Sequence, residues 1–114
     1  MKPRGVRRGD IWLVNLNSAL DPTVGSEIQK TRPCLVISPE EMHTHLRTAI
    51  VAPMTTGSHP APFRVAVRHG GKKGLILLDQ IRAIDKTRLV KRSGTVGAAV
   101  LSATLATLGE IFAE

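Results

Sequence analysis

The chain is short of several residue types on which other classes of protein depend. Its 114 residues include one cysteine, no tyrosine, two phenylalanines and one tryptophan. A single cysteine cannot form an intramolecular disulfide, and Cys34 stands in the apolar run PCLVIS, which favours a buried, unreactive thiol. The scarcity of aromatic rings argues against the base-stacking platform of ordinary single-strand binders.

Long apolar segments are absent as well. No uninterrupted run approaches the roughly 18 residues of a membrane-spanning helix. The opening stretch MKPRGVRRGDIW contains no signal-type apolar segment. We therefore expect a cytoplasmic protein that has no membrane partner.

Acidic residues are outnumbered by basic ones. There are 16 Lys or Arg residues against nine Asp or Glu, which gives a formal net charge of +7 and an isoelectric point of about 10.6. Residues 64–92 contain nine Lys or Arg and two Asp, whereas residues 93–114 contain two acids and no Lys or Arg. Such a concentration of positive charge favours a polyanionic partner, and nucleic acid is the first candidate.

Short apolar runs separated by Gly, Pro, Asn or Ser clusters predict β-strands. These runs are DIWLVNL, PCLVIS, TAIVAP, FRVAVR and GLILLDQIRAI. In FRVAVR, strict alternation places Phe63, Val65 and Val67 on one face, as a half-exposed antiparallel strand requires. The C-terminal AAVLSATLATLGEIFAE has a helical period instead. Its expected apolar stripe consists of Leu101, Leu105, Leu108 and Phe112.

These elements predict a mainly β chain with a C-terminal helix. Five or more short strands followed by one helix favour a small, strongly curved antiparallel sheet or a partly open barrel. A parallel sheet is not expected, because helical segments do not alternate with the strands. A chain of this length holds one core, so we expect a single domain over residues 1–114.

Two connections are longer than a hairpin requires, and long loops in a compact domain are often functional. The first, residues 17–31, carries Glu27 and Lys30, with Arg32 just beyond it. The second, residues 54–62, carries Thr55 and Thr56 where the preceding strand ends. If the two strand ends are neighbours, an acid, two cations and two hydroxyls meet in one cleft.

One segment resembles a metal site. In EEMHTH, His43 and His45 stand beside Glu40 and Glu41. No further ligand cluster accompanies them, and the segment is typical of a polar connection. We therefore expect no metal and no cofactor.

The residue types of the expected cleft suit cleavage of RNA. The RNA 2′-hydroxyl can attack the adjacent phosphorus if a base removes its proton and an acid protonates the leaving 5′-oxygen. Arg32 would stabilise charge on the nonbridging oxygens, because a guanidinium aims several donors at phosphate. Glu27 could be the base, although a loop ion pair with Lys30 or Arg32 fits the spacing equally well. Thr55 is either a phosphate ligand or a turn residue.

Four motifs in order carry a resemblance to a known family. They are RRGDIWLVNL, GSEIQKTRPCLVIS, AIVAPMTT and GLILLDQIRAIDKTRLVKR, and together they resemble the MazF/PemK toxins of bacterial toxin-antitoxin systems, from about Arg8 to Arg92. Members of that family are sequence-specific, metal-independent endoribonucleases that inhibit translation and growth. The resemblance implies an SH3-like barrel, a homodimer, and cleavage of single-stranded RNA that leaves a 2′,3′-cyclic phosphate and a 5′-hydroxyl.

The resemblance also assigns roles by position. Catalysis falls on Glu27, Arg32 and Thr55. Some relatives use an aspartate in an R-C-D-Q motif, but here the text is LLDQ, which keeps Asp79 without the arginine. That departure favours a centre built on Glu27. The residues predicted to bind RNA or to support the site are Lys30, Thr56, Asp79, Gln80 and Arg82.

The partners implied by the resemblance are single-stranded RNA, a second copy of the chain and a cognate acidic antitoxin. Operator DNA is expected only through the antitoxin complex. The alternative function is a noncatalytic basic barrel that grips nucleic acid through its phosphates alone. Such a module has no use for Glu27, which repels the RNA backbone. A further rival is an interaction protein whose basic groove receives only an acidic peptide.

Overall fold

The computed structural model describes residues 5–17, 31–57 and 59–114. Helix α1 spans Glu40–His45 and helix α2 spans Ala98–Ile111, while short 3₁₀ turns occupy Leu78–Gln80 and Lys86–Arg88. The strands are β1 (Asp10–Asn15), β2 (Thr31–Val36), β3 (Thr48–Thr55), β4 (Arg64–His69), β5 (Lys72–Leu77), β6 (Arg82–Asp85) and β7 (Leu89–Thr95).

The seven described strands form one antiparallel sheet in the order β4-β5-β3-β2-β1-β7. Strand β3 is long enough to have two partners along one edge. Its first half pairs with β6 and its last residues pair with β5. The sheet curls until its edge strands meet, so that Nε2 of His69 in β4 lies 2.9 Å from the Ser93 hydroxyl of β7. The prediction of a mainly β, strongly curved antiparallel sheet with a C-terminal helix is confirmed.

Both faces of the sheet carry buried apolar side chains. Alternation along β2 sends Cys34 and Val36 to one face and Leu35 to the other. Each fully buried aliphatic side chain contributes about 1.5–3 kcal/mol. The first cluster is Val6, Trp12, Val14, Leu16, Cys34, Val36, Val51, Ile84 and Leu89. The second is Ile11, Leu35, Ile37, Ala52, Met54, Val67, Ile76 and Leu78, and part of α2 packs against it.

Several element predictions are wrong in detail. The run GLILLDQIRAI, expected as one strand, is divided by the turn at Leu78–Gln80 into β5 and β6. The EEMHTH segment, expected as a polar connection, forms α1. Strand β7 was not expected at all. Phe63 precedes β4 instead of belonging to it, with φ of 68° and 45% exposure.

The buried face of α2 also differs from the expected stripe. Leu108 packs against the second cluster as predicted, but its companions are Val100 and Ile111. Thr104 is completely buried, and its hydroxyl donates to the Val100 carbonyl oxygen at 2.8 Å, which satisfies a polar residue in the core. Phe112, expected in the stripe, is 70% exposed. Neither helix in the described ranges has the length and apolar character needed to cross a membrane.

Candidate active site

A cavity of about 360 Å³ lies where β2 begins and β3 ends. The β2–β3 ladder pairs Cys34 with Pro53, and two further steps in the same register bring Arg32 opposite Thr55. Arg32, Thr55 and Thr56 all line the cavity, so the structure brings these three predicted residues together. The other lining residues are Pro33, Met54, Val67, His69, Gly70, Lys72 and Gly74.

The backbone at Thr55 is held closely by the neighbouring strand. Thr55 pairs with Leu75 of β5, and a Cβ built on the adjacent Gly74 would lie 2.4 Å from the Thr55 carbonyl oxygen. Only glycine permits this approach. The Thr55 hydroxyl donates to the Thr56 carbonyl oxygen at 3.0 Å. If the hydroxyl rotates, it can donate its hydrogen bond to a phosphate oxygen of a substrate bound in the cavity instead.

Arg32 is half-buried, and its Nε is buried and has no hydrogen-bond partner among the described residues. None of the ion pairs among the described residues involves Arg32. An unsatisfied buried donor costs about 1–3 kcal/mol, and more when it is charged. A half-buried guanidinium at the wall of a cavity is suited to binding an anion, because it aims several donors at one group.

Two cavity residues were not predicted from the sequence. His69 ends β4 and Lys72 begins β5, and the hairpin register pairs them with each other. In the sequence, the glycines and lysines of HGGKKG are typical of a solvated hairpin tip. Periodicity within the hairpin could not show that it lies beside the ends of β2 and β3. Together with Arg32 these residues make the lining basic, and none of the described residues that line the cavity carries a carboxylate.

Arg82 does not line the cavity. It begins β6 opposite Val51 of β3.

Burial raises the pKa of the Cys34 thiol to about 12, and the Arg82 and Arg32 guanidiniums partly offset this rise. The thiol is therefore protonated at neutral pH, in agreement with the predicted unreactive cysteine.

Asp79 also lies outside the cavity lining, in the turn after β5. Its two carboxylate oxygens accept hydrogen bonds from Nε and Nη2 of Arg64, both at 3.1 Å. This bidentate pair lowers the pKa of Asp79, and the Gln80 side chain contributes a smaller effect in the same direction. In this arrangement the Asp79 carboxylate is engaged in an ion pair at the surface.

The remaining predicted residues fall into two groups. Glu27 and Lys30 lie outside the described residues, so their roles stay predictions.

The His43–His45 pair does not form a shared site. His43 is buried, with Nδ1 2.9 Å from the Val6 carbonyl oxygen and Nε2 2.6 Å from the Ser38 hydroxyl, whereas His45 is exposed. Within the described ranges, no three His, Cys, Asp or Glu side chains are grouped as metal ligands would be.

Comparison with known proteins identifies the family of the chain. Residues 7–112 match the family described as PemK-like, MazF-like toxin of type II toxin-antitoxin system. Endoribonuclease PemK of Escherichia coli is 37% identical over 112 residues, which cover 93% of this chain and 81% of PemK. Endoribonuclease EndoA of Bacillus subtilis (strain 168) is 40% identical over 93 residues, which cover 76% of this chain and 77% of EndoA.

The fold has close structural counterparts. The crystal structure of MazF from Deinococcus radiodurans superimposes with a TM-score of 0.75 at 26% identity, covering 100% of this chain and 99% of MazF. The sequence match spans nearly the whole chain and includes both strand ends that form the cavity. The chain therefore belongs to the PemK-like, MazF-like toxin family of type II toxin-antitoxin systems.

Proposed function

We propose that the chain is the toxin of such a system and cleaves single-stranded RNA at specific sequences. Family membership supports the proposal, because the curated relatives are named endoribonucleases. The structural observation that carries it is the half-buried Arg32, which has no ion-pair partner among the described residues and lines a cavity with Thr55 and Lys72. A guanidinium, a hydroxyl and an ammonium group are suitable ligands for a phosphodiester.

In the proposed reaction the RNA supplies its own nucleophile. Glu27 removes the 2′-hydroxyl proton, and the resulting oxygen attacks the adjacent phosphorus. Arg32 donates to the nonbridging oxygens, where negative charge increases in the transition state, and Thr55 orients the phosphate. The bond to the 5′-oxygen breaks and leaves a 2′,3′-cyclic phosphate and a 5′-hydroxyl. The step needs no metal ion, because Glu27 accepts the 2′-hydroxyl proton and Arg32 stabilises the charge, while a further acid protonates the 5′-oxygen.

The mechanism is tested on a long unstructured RNA in the presence of EDTA. We expect cleavage at defined positions, with 5′-hydroxyl ends. A single 2′-deoxy nucleotide on the 5′ side of one scissile phosphate should block cleavage there and leave the other sites unaffected. Cleavage that continues at the substituted site would rule out attack by the 2′-oxygen.

A variant of Glu27 separates an enzyme from a binding module. Glu27→Gln keeps the shape of the side chain and removes a negative charge near the RNA backbone, so RNA affinity should not fall. Loss of the base should reduce cleavage by a factor on the order of 10² or more. Glu41→Gln, an exposed change in α1, is the matched control. If Glu27→Gln cleaves RNA at the wild-type rate, Glu27 is not the base.

We also propose that the chain forms a homodimer and binds an acidic antitoxin segment, with operator DNA bound only through that complex. Exposed apolar side chains, including Phe112 at 70% and Val90 at 59%, support a protein partner surface. The net charge of +7 supports an acidic partner. Light scattering should give about twice 12.3 kDa for the free protein. A fully active monomer at micromolar concentration would contradict the dimer.

A further inference from the structure

We propose that His69 is the catalytic residue that protonates the leaving 5′-oxygen. The inference rests on the proposed RNA cleavage and concerns the one proton transfer that Glu27, Arg32 and Thr55 leave without a suitable donor. A guanidinium remains protonated in proteins, so Arg32 can stabilise charge but is a poor acid at neutral pH. A threonine hydroxyl is weaker still as a proton donor. Imidazole is the side chain whose charge normally changes between pH 5 and 8.

His69 lies in the right place for this role. It is the last residue of β4 and lines the same cavity as Arg32 and Thr55. Its cross-strand partner Lys72 lines that cavity too, so the lining holds two cationic residues, Arg32 and Lys72, in addition to the imidazole. None of the other three histidines lines the cavity.

The ring is oriented by the opposite edge of the sheet. His69 Nε2 lies 2.9 Å from Oγ of Ser93 in β7. Both nitrogens of an imidazolium donate, so Nε2–H bonds to the Ser93 oxygen and leaves Nδ1–H for another acceptor. No described residue forms a hydrogen bond with Nδ1. The adjacent Gly94 has no side chain, and a Cβ built there would lie 3.4 Å from the ring carbon Cε1, so the ring rests against β7.

The proton balance of the step is complete. Glu27 accepts the proton of the 2′-hydroxyl while the 2′-oxygen forms its bond to phosphorus. The bond between phosphorus and the 5′-oxygen breaks, and the 5′-oxygen takes the Nδ1 proton of His69. The products leave a neutral imidazole and a protonated carboxyl group, and exchange with solvent restores both groups for the next turnover.

The test uses two RNA substrates that differ in one atom. In the first, the leaving atom is the natural 5′-oxygen, and in the second it is sulfur, which departs as a stable thiolate and needs no proton. On the oxygen substrate, His69→Gln should lower the single-turnover rate by a factor on the order of 10² or more. On the sulfur substrate the same variant should stay within about threefold of the wild type, because no acid is required. Glutamine retains an amide donor for Ser93, so the bond between the two edge strands can persist.

The controls keep a structural role distinguishable. His45→Gln changes an exposed histidine outside the cavity and should have no effect on either substrate. If His69→Gln does not fold, Ser93→Ala replaces it and should slow cleavage of the oxygen substrate selectively. Equal losses on both substrates, or no loss on either, would overturn the assignment of His69 while leaving the proposed nuclease intact. A wild-type protein that cleaves neither substrate would overturn the proposed function itself.

Discussion

At the scale of the residue, Arg32 combines a functional position with an unfavourable environment. Its Nε is buried and has no hydrogen-bond partner in the part of the chain that the structure describes, and an unsatisfied buried donor costs about 1–3 kcal/mol. Methionine replaces most of its volume without a polar atom. We expect Arg32→Met to leave the melting temperature unchanged or to raise it, while cleavage falls by a factor on the order of 10² or more. Thermal unfolding and RNA cleavage, measured on the same preparation, check both parts.

The control for Arg32 is a surface arginine. The Arg47 side chain is 85% exposed, and its contact with Asp85 is a loose one at 4.0 Å. Arg47→Met should change neither stability nor cleavage appreciably, since exposed ion pairs contribute little. A drop of several degrees in the melting temperature of Arg32→Met would show that the guanidinium supports the fold.

Asp79 is the residue whose structural and catalytic roles the sequence leaves open. Arg64 lowers the pKa of its carboxyl group in the folded chain, so the pair stabilises the fold above the unfolded-state pKa and loses its effect as the pH falls through the folded-state value. Asp79→Asn should therefore lower the melting temperature at pH 7, and the difference should shrink as the pH falls through the lowered folded-state pKa of Asp79. Cleavage at neutral pH should persist, because Asp79 does not line the cavity.

A control variant separates the effect of losing the Arg64–Asp79 ion pair from the effect of changing the net charge. Glu110→Gln removes one negative charge from an exposed position of α2. Its melting temperature should follow the wild-type pH profile. Loss of cleavage in Asp79→Asn with an unchanged pH profile of stability would instead place Asp79 in the chemistry.

The sequence allowed part of the candidate site to be predicted. Arg32 and Thr55 could be predicted because each stands at the end of a clear apolar run, and β2 and β3 prove to be antiparallel neighbours. His69 and Lys72 could not, because their place depends on the curl that brings β4 to β7. That curl is a property of the whole sheet and leaves no local pattern in HGGKKG.

At the scale of the element, the chain just before β1 packs closely against helix α2, and a glycine makes this close packing possible. Gly9 has a φ of +97°, and a Cβ there would lie 3.3 Å from Cδ2 of Leu101 in α2. Gly9→Ala should destabilise the fold by about 1–3 kcal/mol, because alanine is strained at this φ and crowds the helix. Gly109→Ala is the matched change, since Gly109 lies within α2 and a Cβ there meets nothing within 4 Å. It should stabilise the fold by up to about 1 kcal/mol.

Denaturant unfolding of the two alanine variants measures both effects. The two changes have opposite expected signs although they add the same methyl group. If Gly9→Ala proves neutral, the contact between Leu101 and the β1 entry is able to adjust, and the docking of α2 is looser than the structure indicates.

The errors in predicting elements have physical causes. Strand β7 reads LVKRSGT, an edge strand with exposed polar side chains and a glycine, so it carries no apolar alternation. Helix α1 has six residues, too few for a period to be recognised. In α2 the core position is held by Thr104, whose hydroxyl is satisfied within the helix, and a pattern of hydrophobic residues cannot reveal this. Long apolar runs such as the one in β3 were predicted correctly because burial alone determines them.

At the scale of the whole molecule, charge and shape act on the same partner. The chain carries a net charge of +7, and the curled sheet gathers Arg32 and Lys72, which are far apart in the sequence, at one cavity. The two acids of the basic segment 64–92, Asp79 and Asp85, are paired with Arg64 and Arg47. A polyanion therefore meets a surface whose positive charge is only partly neutralised within the described residues.

RNA affinity should consequently depend strongly on salt. An RNA with 2′-deoxy nucleotides at its scissile positions is bound but not cleaved, so its dissociation constant can be titrated from low to high salt. If three or more phosphates are contacted, the slope of log affinity against log salt should be about −2 or steeper, at roughly 0.7 per phosphate for single strands. Lys72→Gln should make the slope shallower by about 0.7, because one phosphate contact is lost. Arg47→Gln, outside the cavity, should leave the slope unchanged.

A slope near zero would mean that the RNA is not held through its phosphates. An unaltered slope in Lys72→Gln would remove this lysine from the binding surface and place the phosphate contacts on other basic residues.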